Sequence, residues 1–429
     1  MPAGSVRRDG RGDPEPASPT AHRTGREDTL DDSMTSQTSR SPSSPPPPPG
    51  GFLLCACQGG AEAALKARMA EVLPAAKPAA WRRGIVSFKL PSAADSSAAG
   101  SAALPADLLE RLVFARTAVH SLGQVTGVDP AALATAAIEL AGRAGFANVH
   151  AWPRQFEAGP RGAEAVAAAA EARRILLFAC GLASDLDPVA GIGDRVLDVV
   201  MDTPDRWWVG WHVAAEPATR WPGGIYPPAT GPLPEAVVSR AWLKLDEAIA
   251  TFGIEWGPEA RVVELGSAPG GACQRLLEDG LDVVGVDPAV VDPTVAAQPR
   301  FTQWRMRARE VPLKRFVGVN WLLADMNIDP QSTLESLGRV ATAKGVKLAG
   351  IVATLKIPDW SRAAELPAWL AAFRGWGFEP RARQLSSGGR EVCVVARRAR
   401  SAPEPRATAR ARPAKQPLRA RPARRRPAE

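Results

Sequence analysis

The segment Arg261-Val-Val-Glu-Leu-Gly-Ser-Ala-Pro-Gly-Gly271 decides the fold of the C-terminal half of this 429-residue chain. Its first five residues form a short, mostly apolar run, which is typical of a buried parallel strand. A glycine turn follows and leads into the helix-like stretch Ala272–Glu278. Strand, glycine turn and helix in this order predict the first unit of a doubly wound sheet, in which ligands bind at the carboxyl ends of the strands.

The same alternation of strands and helices continues on both sides of this segment. Predicted helices are Val237–Phe252, Ala272–Glu278, Pro330–Thr342 and Ser361–Trp376, and predicted strands are Arg261–Leu265, Asp282–Asp287, Asn320–Asp325, Lys347–Lys356, Phe378–Leu385 and Glu391–Ala396. Pro367 is expected to disturb the first turns of its helix. The pattern predicts an α/β, Rossmann-like domain with a mostly parallel seven-stranded sheet, in which the final hairpin adds one antiparallel strand.

Residues 51–220 form a second α/β block, which we expect to be smaller. Its predicted strands are Phe52–Cys57 and Gly84–Leu90, its helices are Ala61–Leu73, Leu108–Ala115 and Ala131–Ala144, and Val196–Met201 pairs with Trp207–Trp211 as a hairpin. The block contains no cluster of His, Cys and carboxylates. A Pro/Gly-rich linker at 221–236 separates it from a C-terminal domain at 237–398.

Both ends of the chain are predicted to be disordered because their composition cannot form a core. Residues 1–50 are rich in Ser and Pro, residues 399–429 alternate Ala, Pro and Arg, and Ser92–Ala103 reads as a low-complexity loop. The net charge of +8 comes from the C-terminal tail, since residues 397–429 carry +10 and the remainder is close to neutral. Such a tail favours a polyanionic partner such as nucleic acid.

Composition excludes several other classes of protein. No apolar run reaches the roughly 18 residues of a membrane span, and no secretory signal is visible. The five cysteines are scattered and lack the spacing of zinc sites, so we predict neither disulfides nor a bound metal. A soluble, cytoplasmic protein is expected.

The glycine turn carries the candidate cofactor site. Ala268 replaces the middle glycine of the dinucleotide motif, which disfavours NAD and FAD, and the Gly-Lys-Ser/Thr ending of a phosphate loop is absent. Asp287, 23 residues after Glu264, can accept hydrogen bonds from two ribose hydroxyls, and Glu264 can contact a cationic amino-acid group directly or through water. These features suit S-adenosylmethionine (SAM). The predicted cofactor-binding residues are Glu264, Gly266, Ser267, Ala268, Pro269, Gly270, Gly271, Asp287 and Asp325.

The motif Val262-Val-Glu-Leu-Gly-Ser-Ala-Pro-Gly-Gly271 resembles that of the FtsJ-type RNA ribose 2′-O-methyltransferases. Their Lys–Asp–Lys–Glu tetrad matches, in order, Lys244, Asp325, Lys356 and Glu391. Within the family, the chain looks most like the methyltransferases that act on a cytidine of 23S rRNA and carry a THUMP-containing N-terminal region. The resemblance, which also covers Leu112-Val-Phe-Ala-Arg116, implies a SAM-dependent enzyme, 23S rRNA or a large-subunit precursor as partner, and a THUMP-like block for RNA docking.

The chemistry of the tetrad can be argued from its residue types. A ribose hydroxyl that attacks a sulfonium methyl group requires alignment and a proton acceptor. We expect Lys356 to be the base, with its pKa lowered by burial and by the second lysine, Lys244. Asp325 would orient Lys356, and Glu391 would position Lys244.

Other acceptors of a methyl group fit less well. The residues at the fourth strand end, Asp325-Met-Asn-Ile328, lack the aromatic side chain used in methylation of base amino groups, and neither Cys273 nor Cys393 fits the pattern of a carbon-5 nucleophile. The stretch Phe301–Arg309 lacks the acidic residue that the family typically places near the adenine, which puts cofactor affinity in doubt. The alternative to an enzyme is therefore an RNA-binding pseudoenzyme with a methyltransferase fold. RNA docking by the N-terminal block would need basic pairs such as Arg82-Arg83 and Arg173-Arg174 to lie on one face.

Overall fold

Two seven-stranded sheets form the framework of the protein in this computed structural model. The structure describes residues 51–91, 105, 107–142, 145–156, 159–230 and 233–399. The predicted loop Ser92–Ala103 and, apart from residue 399, the two predicted disordered ends lie outside the described residues.

The N-terminal sheet is mostly antiparallel. Its strands are β1 (Phe52–Cys57), β2 (Lys77–Arg82), β3 (Ile85–Lys89), β4 (Ala115–Thr126), β5 (Asn148–Pro153), β6 (Arg195–Thr203) and β7 (Arg206–Val213), in the spatial order β2-β3-β1-β4-β7-β6-β5. The predicted hairpin is confirmed as β6 and β7, and β5 pairs with β6 as the one parallel pair in this sheet. The expectation of a smaller block is wrong in one respect, because this sheet has as many strands as the C-terminal one.

Four helices flank this sheet. They are α1 (Glu62–Val72), α2 (Leu108–Leu112), α3 (Pro130–Ala141) and α4 (Pro160–Ala179). Helices α3 and α4 pack over β5, β6 and β7 through a buried cluster that includes Leu133, Leu176 and Leu197. Helices α1 and α2 contribute Leu65 and Leu109 to a separate core that continues into the C-terminal half.

The predicted helix Leu108–Ala115 is wrong beyond Leu112. Val113 adopts φ 57° and ψ −50°, and the Phe114 N–H donates to the carbonyl oxygen of Leu112 at 2.5 Å. This geometry is a γ-turn, a conformation that is rare and strained for a β-branched residue. The turn stops the helix, and Ala115 then begins β4 between β1 and β7.

The C-terminal sheet confirms the predicted alternation. Its strands are β8 (Arg261–Leu265), β9 (Asp282–Val286), β10 (Phe301–Trp304), β11 (Trp321–Ala324), β12 (Gly350–Lys356), β13 (Phe378–Arg383) and β14 (Glu391–Arg398), in the spatial order β10-β9-β8-β11-β12-β14-β13. Strand β14 is antiparallel to both of its neighbours, and the other strand pairs of this sheet are parallel. The sheet is thus mostly parallel with one antiparallel strand, as the sequence indicates.

Five helices accompany this sheet. They are α5 (Arg240–Phe252), α6 (Gly271–Glu278), α7 (Pro293–Ala296), α8 (Pro330–Ala341) and α9 (Leu366–Gly375). Helices α5 and α6 pack on one face through residues such as Ala248 and Leu276, while α8 and α9 pack on the other through Leu337 and Phe373. The predicted helix Ser361–Trp376 is a 3-10 helix at Trp360–Glu365 followed by α9, which has Pro367 in its first turn. The first turns of the predicted helix are therefore not α-helical, in line with the expected effect of Pro367.

The described helices include none that is both long and apolar enough to cross a membrane. All five cysteines are free thiols. Within the described ranges, no group of three or more His, Cys, Asp or Glu side chains is arranged to hold a metal ion. The predicted domain boundaries at 220 and 237 stay a prediction, since 3-10 turns at Pro217–Arg220, Pro222–Gly224 and Pro227–Thr230 fill this region.

Candidate active site

The glycine turn after β8 is pressed against the ends of two neighbouring strands. The N–H groups of Gly266 and Ser267 both point at the carbonyl oxygen of Val286, at 2.9 and 3.4 Å. Gly266 has φ 83°, and a Cβ there would lie 2.7 Å from the Met326 side chain and 3.0 Å from the Asp325 carbonyl oxygen. Only glycine allows this approach, so the turn lies directly beside the end of β11.

The end of the turn also fixes α6 against α5. Gly271 is the first residue of α6, and a Cβ on it would lie 2.2 Å from the Ser239 hydroxyl oxygen. Ser239 is the N-cap of α5 and accepts a hydrogen bond from the Ala241 N–H. Because α5 carries Lys244, the close contact at Gly271 sets the position of the lysine relative to the turn.

Asp287 lies at the end of β9 and interacts with the same turn. Its carboxylate accepts the N–H of Ala268 at 3.2 Å and the N–H of Ala289 at 2.8 Å. The Pro269 carbonyl oxygen accepts the Asp292 N–H at 2.8 Å. The predicted ribose-binding carboxylate is therefore held beside the glycine turn, with lone pairs left to accept further donors.

Glu264 lies below the turn rather than on its surface. It is 2% exposed, and the Cys273 thiol donates to it at 2.9 Å. Burial raises the pKa of Glu264 to about 8, in spite of the lowering effect of this hydrogen bond. With Lys244 and Asp325, Glu264 lines a cavity of about 30 Å³, large enough for one water molecule. Glu264 was expected to contact a cationic group directly or through water, and this buried position favours a contact through water.

The four tetrad residues meet at the carboxyl edge of the sheet. Lys356 Nζ lies 2.9 Å from Asp325 Oδ1 and 2.6 Å from Glu391 Oε2. Lys244 Nζ forms an ion pair with Asp325 Oδ2 and lies 3.4 Å from Glu391 Oε1. Each lysine thus contacts both carboxylates, which gives a square of alternating charge. The four side chains are only 10–20% exposed, so water screens these contacts weakly.

The charges of this square shift the pKa values of its members. Burial raises the pKa of Asp325, but the two lysines outweigh burial and bring it below its ordinary value. Burial lowers the pKa of Lys356, but Asp325 and Glu391 outweigh it, so the pKa lies above its ordinary value. The expected lowering of the pKa of Lys356 is therefore wrong for the protein alone. The sequence suggested one carboxylate partner for each lysine and a second lysine nearby, whereas each lysine contacts two carboxylates.

The side of the sheet next to β10 is basic. Trp304 ends the strand, and Arg305, Arg307 and Arg309 follow as exposed residues. The first acidic residue of this stretch, Glu310, accepts the Arg307 N–H at 3.0 Å in a local turn. The described stretch Phe301–Arg309 itself carries no acidic side chain.

A buried carboxylate that the sequence did not single out links α5 to the loop before β14. Glu247, 3% exposed, accepts the Ser386 N–H at 2.7 Å, the Ser386 hydroxyl at 2.9 Å and the Ser387 N–H at 2.8 Å. It follows Lys244 by three residues on the same helix face, and its loop leads to Glu391. Glu247 therefore holds together the two elements that supply one lysine and one carboxylate of the tetrad. The spacing of three residues from Lys244 on one helix was the sequence signal that could have identified Glu247.

The basic pairs proposed for RNA docking do not behave alike. Arg173 donates to the carbonyl oxygens of Val149 and Leu186, each at 2.9 Å, and Arg174 pairs with Glu171 at 2.7 Å. Arg173 therefore has a structural role within the N-terminal sheet. Arg82 is exposed beside the β2–β3 turn, on a different element.

Comparison with known proteins shows that part of this chain is similar to a described family. Residues 237–356 match the family model of the FtsJ-like methyltransferases. The matched segment contains the glycine turn, Lys244, Asp325 and Lys356, and it ends before Glu391.

Curated relatives share a common name, ribosomal RNA large subunit methyltransferase M (RlmM). The protein from Halorhodospira halophila is 30% identical over 197 residues, which cover 44% of this chain and 55% of the relative. The protein from Saccharophagus degradans is 34% identical over 34% of this chain and 42% of the relative. The protein from Aromatoleum aromaticum is 38% identical over 28% of this chain and 33% of the relative. The chain thus spans about half the length of the first of these relatives and less of the other two.

Proposed function

We propose that the FtsJ-like methyltransferase domain at residues 237–356, together with the strands that follow it, methylates a ribose 2′-hydroxyl of RNA with SAM as the methyl donor. The substrate we propose is a cytidine of 23S rRNA, either free or in a large-subunit precursor, because the relatives are named for the large ribosomal subunit. A cytoplasmic enzyme follows from this substrate.

The single observation that carries this proposal is the square of Lys244, Asp325, Lys356 and Glu391 beside the glycine turn. It unites a candidate proton acceptor and its orienting carboxylates at the strand ends where ligands of such sheets bind. When bound, SAM supplies an electrophilic methyl group. Lys356 would take the proton that the 2′-hydroxyl loses when it accepts that methyl group.

The residues around the turn fit SAM in their chemistry. Asp287 offers carboxylate lone pairs for ribose hydroxyls, and Gly266–Gly271 provide close backbone approach. Asp325 lies at the strand end between the turn and the lysines. The Ser267 hydroxyl is buried and has no hydrogen-bond partner among the described residues, which leaves it available for a polar ligand atom.

Lys356 must lose a proton before it can act as a base. The two carboxylates keep the pKa of Lys356 raised in the protein alone. A sulfonium cation bound next to the square would favour the neutral amine through charge repulsion. Asp325 and Glu391 would then hold the neutral amine, and Lys244 would keep the square from becoming anionic.

The N-terminal sheet is our candidate for a THUMP-like RNA-docking region. Among the residues that the structure describes it has no group of three or more His, Cys, Asp or Glu side chains arranged to hold a metal, and Arg383 at the end of β13 donates to the Arg116 carbonyl oxygen in β4 at 2.6 Å. Docking through shape and backbone contacts is the usual mode of recognition for structured RNA.

The experiment combines SAM titration with methylation mapping. We expect the protein to bind SAM by isothermal titration and to add one 2′-O-methyl group to unmodified 23S rRNA. Lys356→Ala should abolish methylation and retain SAM binding, whereas Lys344→Ala, an exposed lysine after α8, should behave as wild type. Full methylation by Lys356→Ala would refute its assignment as base. Binding of RNA without any binding of SAM would instead identify a pseudoenzyme.

A further inference from the structure

Arg116 carries a charge that the protein does not neutralise. Its side chain is 7% exposed, and its Nε is sealed from solvent without a hydrogen-bond partner. In the part of the chain that the structure describes, no carboxylate lies within ion-pairing distance of it, and its Cζ lies 5.4 Å from the centroid of the Phe156 ring. Although burial lowers the pKa of Arg116 to about 10, the side chain remains a cation at neutral pH.

The backbone is arranged so that Arg116 points away from the regular ladder. Ala56 pairs with Thr117 and Cys57 pairs with Ala115, so Arg116 is the extra residue of a β-bulge. Bulges redirect side chains and occur frequently near active sites. The Arg116 carbonyl oxygen accepts a hydrogen bond from Arg383 at 2.6 Å, which fixes this bulge to β13.

The closest candidate counter-charge is already in use. Glu247 raises the pKa of Arg116 through its charge, but its oxygens accept three hydrogen bonds from Ser386 and Ser387. Burial of a cation without a partner is unfavourable unless an anion compensates its charge. The N-terminal half therefore holds a largely buried guanidinium without an ion-pair partner among the described residues, and Glu247 of α5 acts on it only through its charge.

We propose that Arg116 binds a phosphate group of the RNA substrate beside the target nucleotide. A guanidinium matches a phosphate through two parallel hydrogen bonds, and its Phe156 contact keeps the fork oriented. The inference rests on the proposed function for the identity of the anion, and it gives the N-terminal sheet a defined contact with RNA. Arg116 interacts through its charge with Glu247 of α5, and its carbonyl oxygen is bound by Arg383 at the end of β13, from which the chain continues to Glu391.

The test measures binding of an unmodified 23S rRNA transcript at several salt concentrations. We expect Arg116→Gln to weaken binding about tenfold and to reduce the slope of log affinity against log salt by about 0.7–0.9, the value for one lost phosphate contact. Arg300→Gln is the matched control, because Arg300 pairs with Asp282 at the opposite edge of the C-terminal sheet. It should retain both affinity and slope.

A second variant covers the case in which Arg116→Gln fails to fold. Arg116→Lys keeps the charge and loses the two-pronged fork, so we expect a several-fold weaker affinity with the wild-type salt slope. Wild-type affinity and slope in Arg116→Gln would overturn the proposal. A different outcome is that inorganic phosphate raises the melting temperature of the wild type but not of Arg116→Gln, while the two bind RNA equally. That result would assign the site to a free anion and would also overturn the proposal.

The two proposals fail in different ways. The binding assay needs no methyl transfer, so RNA binding that depends on Arg116 in a protein without methyl transfer would refute only the proposed function. Methyl transfer by the wild type, together with equal RNA affinity of the wild type and Arg116→Gln, would refute only the phosphate site. A wild-type protein that binds no RNA would refute both.

Discussion

Replacement of Glu391 by glutamine should move the pH dependence of methyl transfer to lower pH. Glutamine keeps the size of the side chain and an oxygen acceptor, but it removes one of the two negative charges that face Lys356. The square then changes from neutral to a net charge of +1. Lys356 loses stabilisation of its protonated form, and a neutral amine becomes accessible at lower pH.

The size of the shift follows from the geometry. Two unit charges about 3 Å apart interact by roughly 5 kcal/mol at an effective dielectric of about 20. Partial exposure of both groups and relaxation of the remaining three side chains reduce this value, and about 2 kcal/mol corresponds to a shift of roughly 1.5 pH units. We therefore expect the acidic limb of the rate profile to move down by at least about one pH unit.

The assay is single-turnover methyl transfer at saturating RNA and SAM, measured from pH 5 upward. Glu391→Asp retains the charge and should keep the limb near its wild-type position, with a lower plateau because the shorter side chain reaches Lys356 less well. Glu335→Gln, an exposed carboxylate on α8, serves as the matched control. A limb that stays in place or moves to higher pH in Glu391→Gln, with intact SAM binding, would show that Lys356 does not titrate in the reaction.

Two further predictions concern the turn and the N-terminal sheet. Gly271→Ala should weaken SAM binding at least about tenfold, because the new Cβ would lie 2.2 Å from Ser239 Oγ and added atoms in a close-packed site cost about 1–3 kcal/mol. The control is Gly375→Ala, whose Cβ would have no neighbour within 4 Å. Equal SAM titration curves for the two variants would contradict the prediction. His212, whose two ring nitrogens face the Asp198 carboxylate and the Thr219 carbonyl oxygen, has a pKa raised above 6.5, since the interactions with Asp198 outweigh burial. The pair therefore contributes stability that is fully present below about pH 6.5 and lost as pH rises through the raised pKa. Urea midpoints at several pH values should show this loss in the wild type and not in Asp198→Asn, and identical pH dependence in the two would count against the pair.

The C-terminal sheet could be predicted from sequence because its signals are local and periodic. Strands β8, β9, β11 and β12 are short, mostly apolar runs, and the glycine turn has a fixed place after the first of them. Strand β10, Phe301–Trp304, has no such run and was not predicted. The carboxyl ends of parallel strands meet at one edge, so Asp325 and Lys356 were expected to converge. Glu391 joins them because β14 pairs with β12, where Lys356 faces Glu391 directly.

What the sequence could not supply depends on distances and on the tertiary environment. The pKa of Lys356 changes direction with the arrangement of four charges within a few ångströms, which residue order does not contain. The start of β4 was missed because Leu108–Ala115 has helical composition. The Gln384 N–H, just after β13, donates to the Val113 carbonyl oxygen at 2.9 Å, a long-range contact that residue order does not show. Glu264 was expected to contact a cationic group directly or through water, but the sequence did not show that it is buried and accepts a hydrogen bond from the Cys273 thiol.

The core shared by α1, α2 and the C-terminal sheet has a consequence for biosynthesis. Helix α2 contacts β13, and α1 contacts the 3-10 helix Trp360–Glu365, so the earliest helices are covered by late elements of the chain. At about 5–20 residues per second, a ribosome needs roughly 15–50 s to make the segment between α2 and β13. During that interval the nascent chain presents uncovered leucines and a γ-turn without its partner at Gln384. Translation speed and chaperone access over this window therefore bear on the yield of active protein, even though neither touches the tetrad.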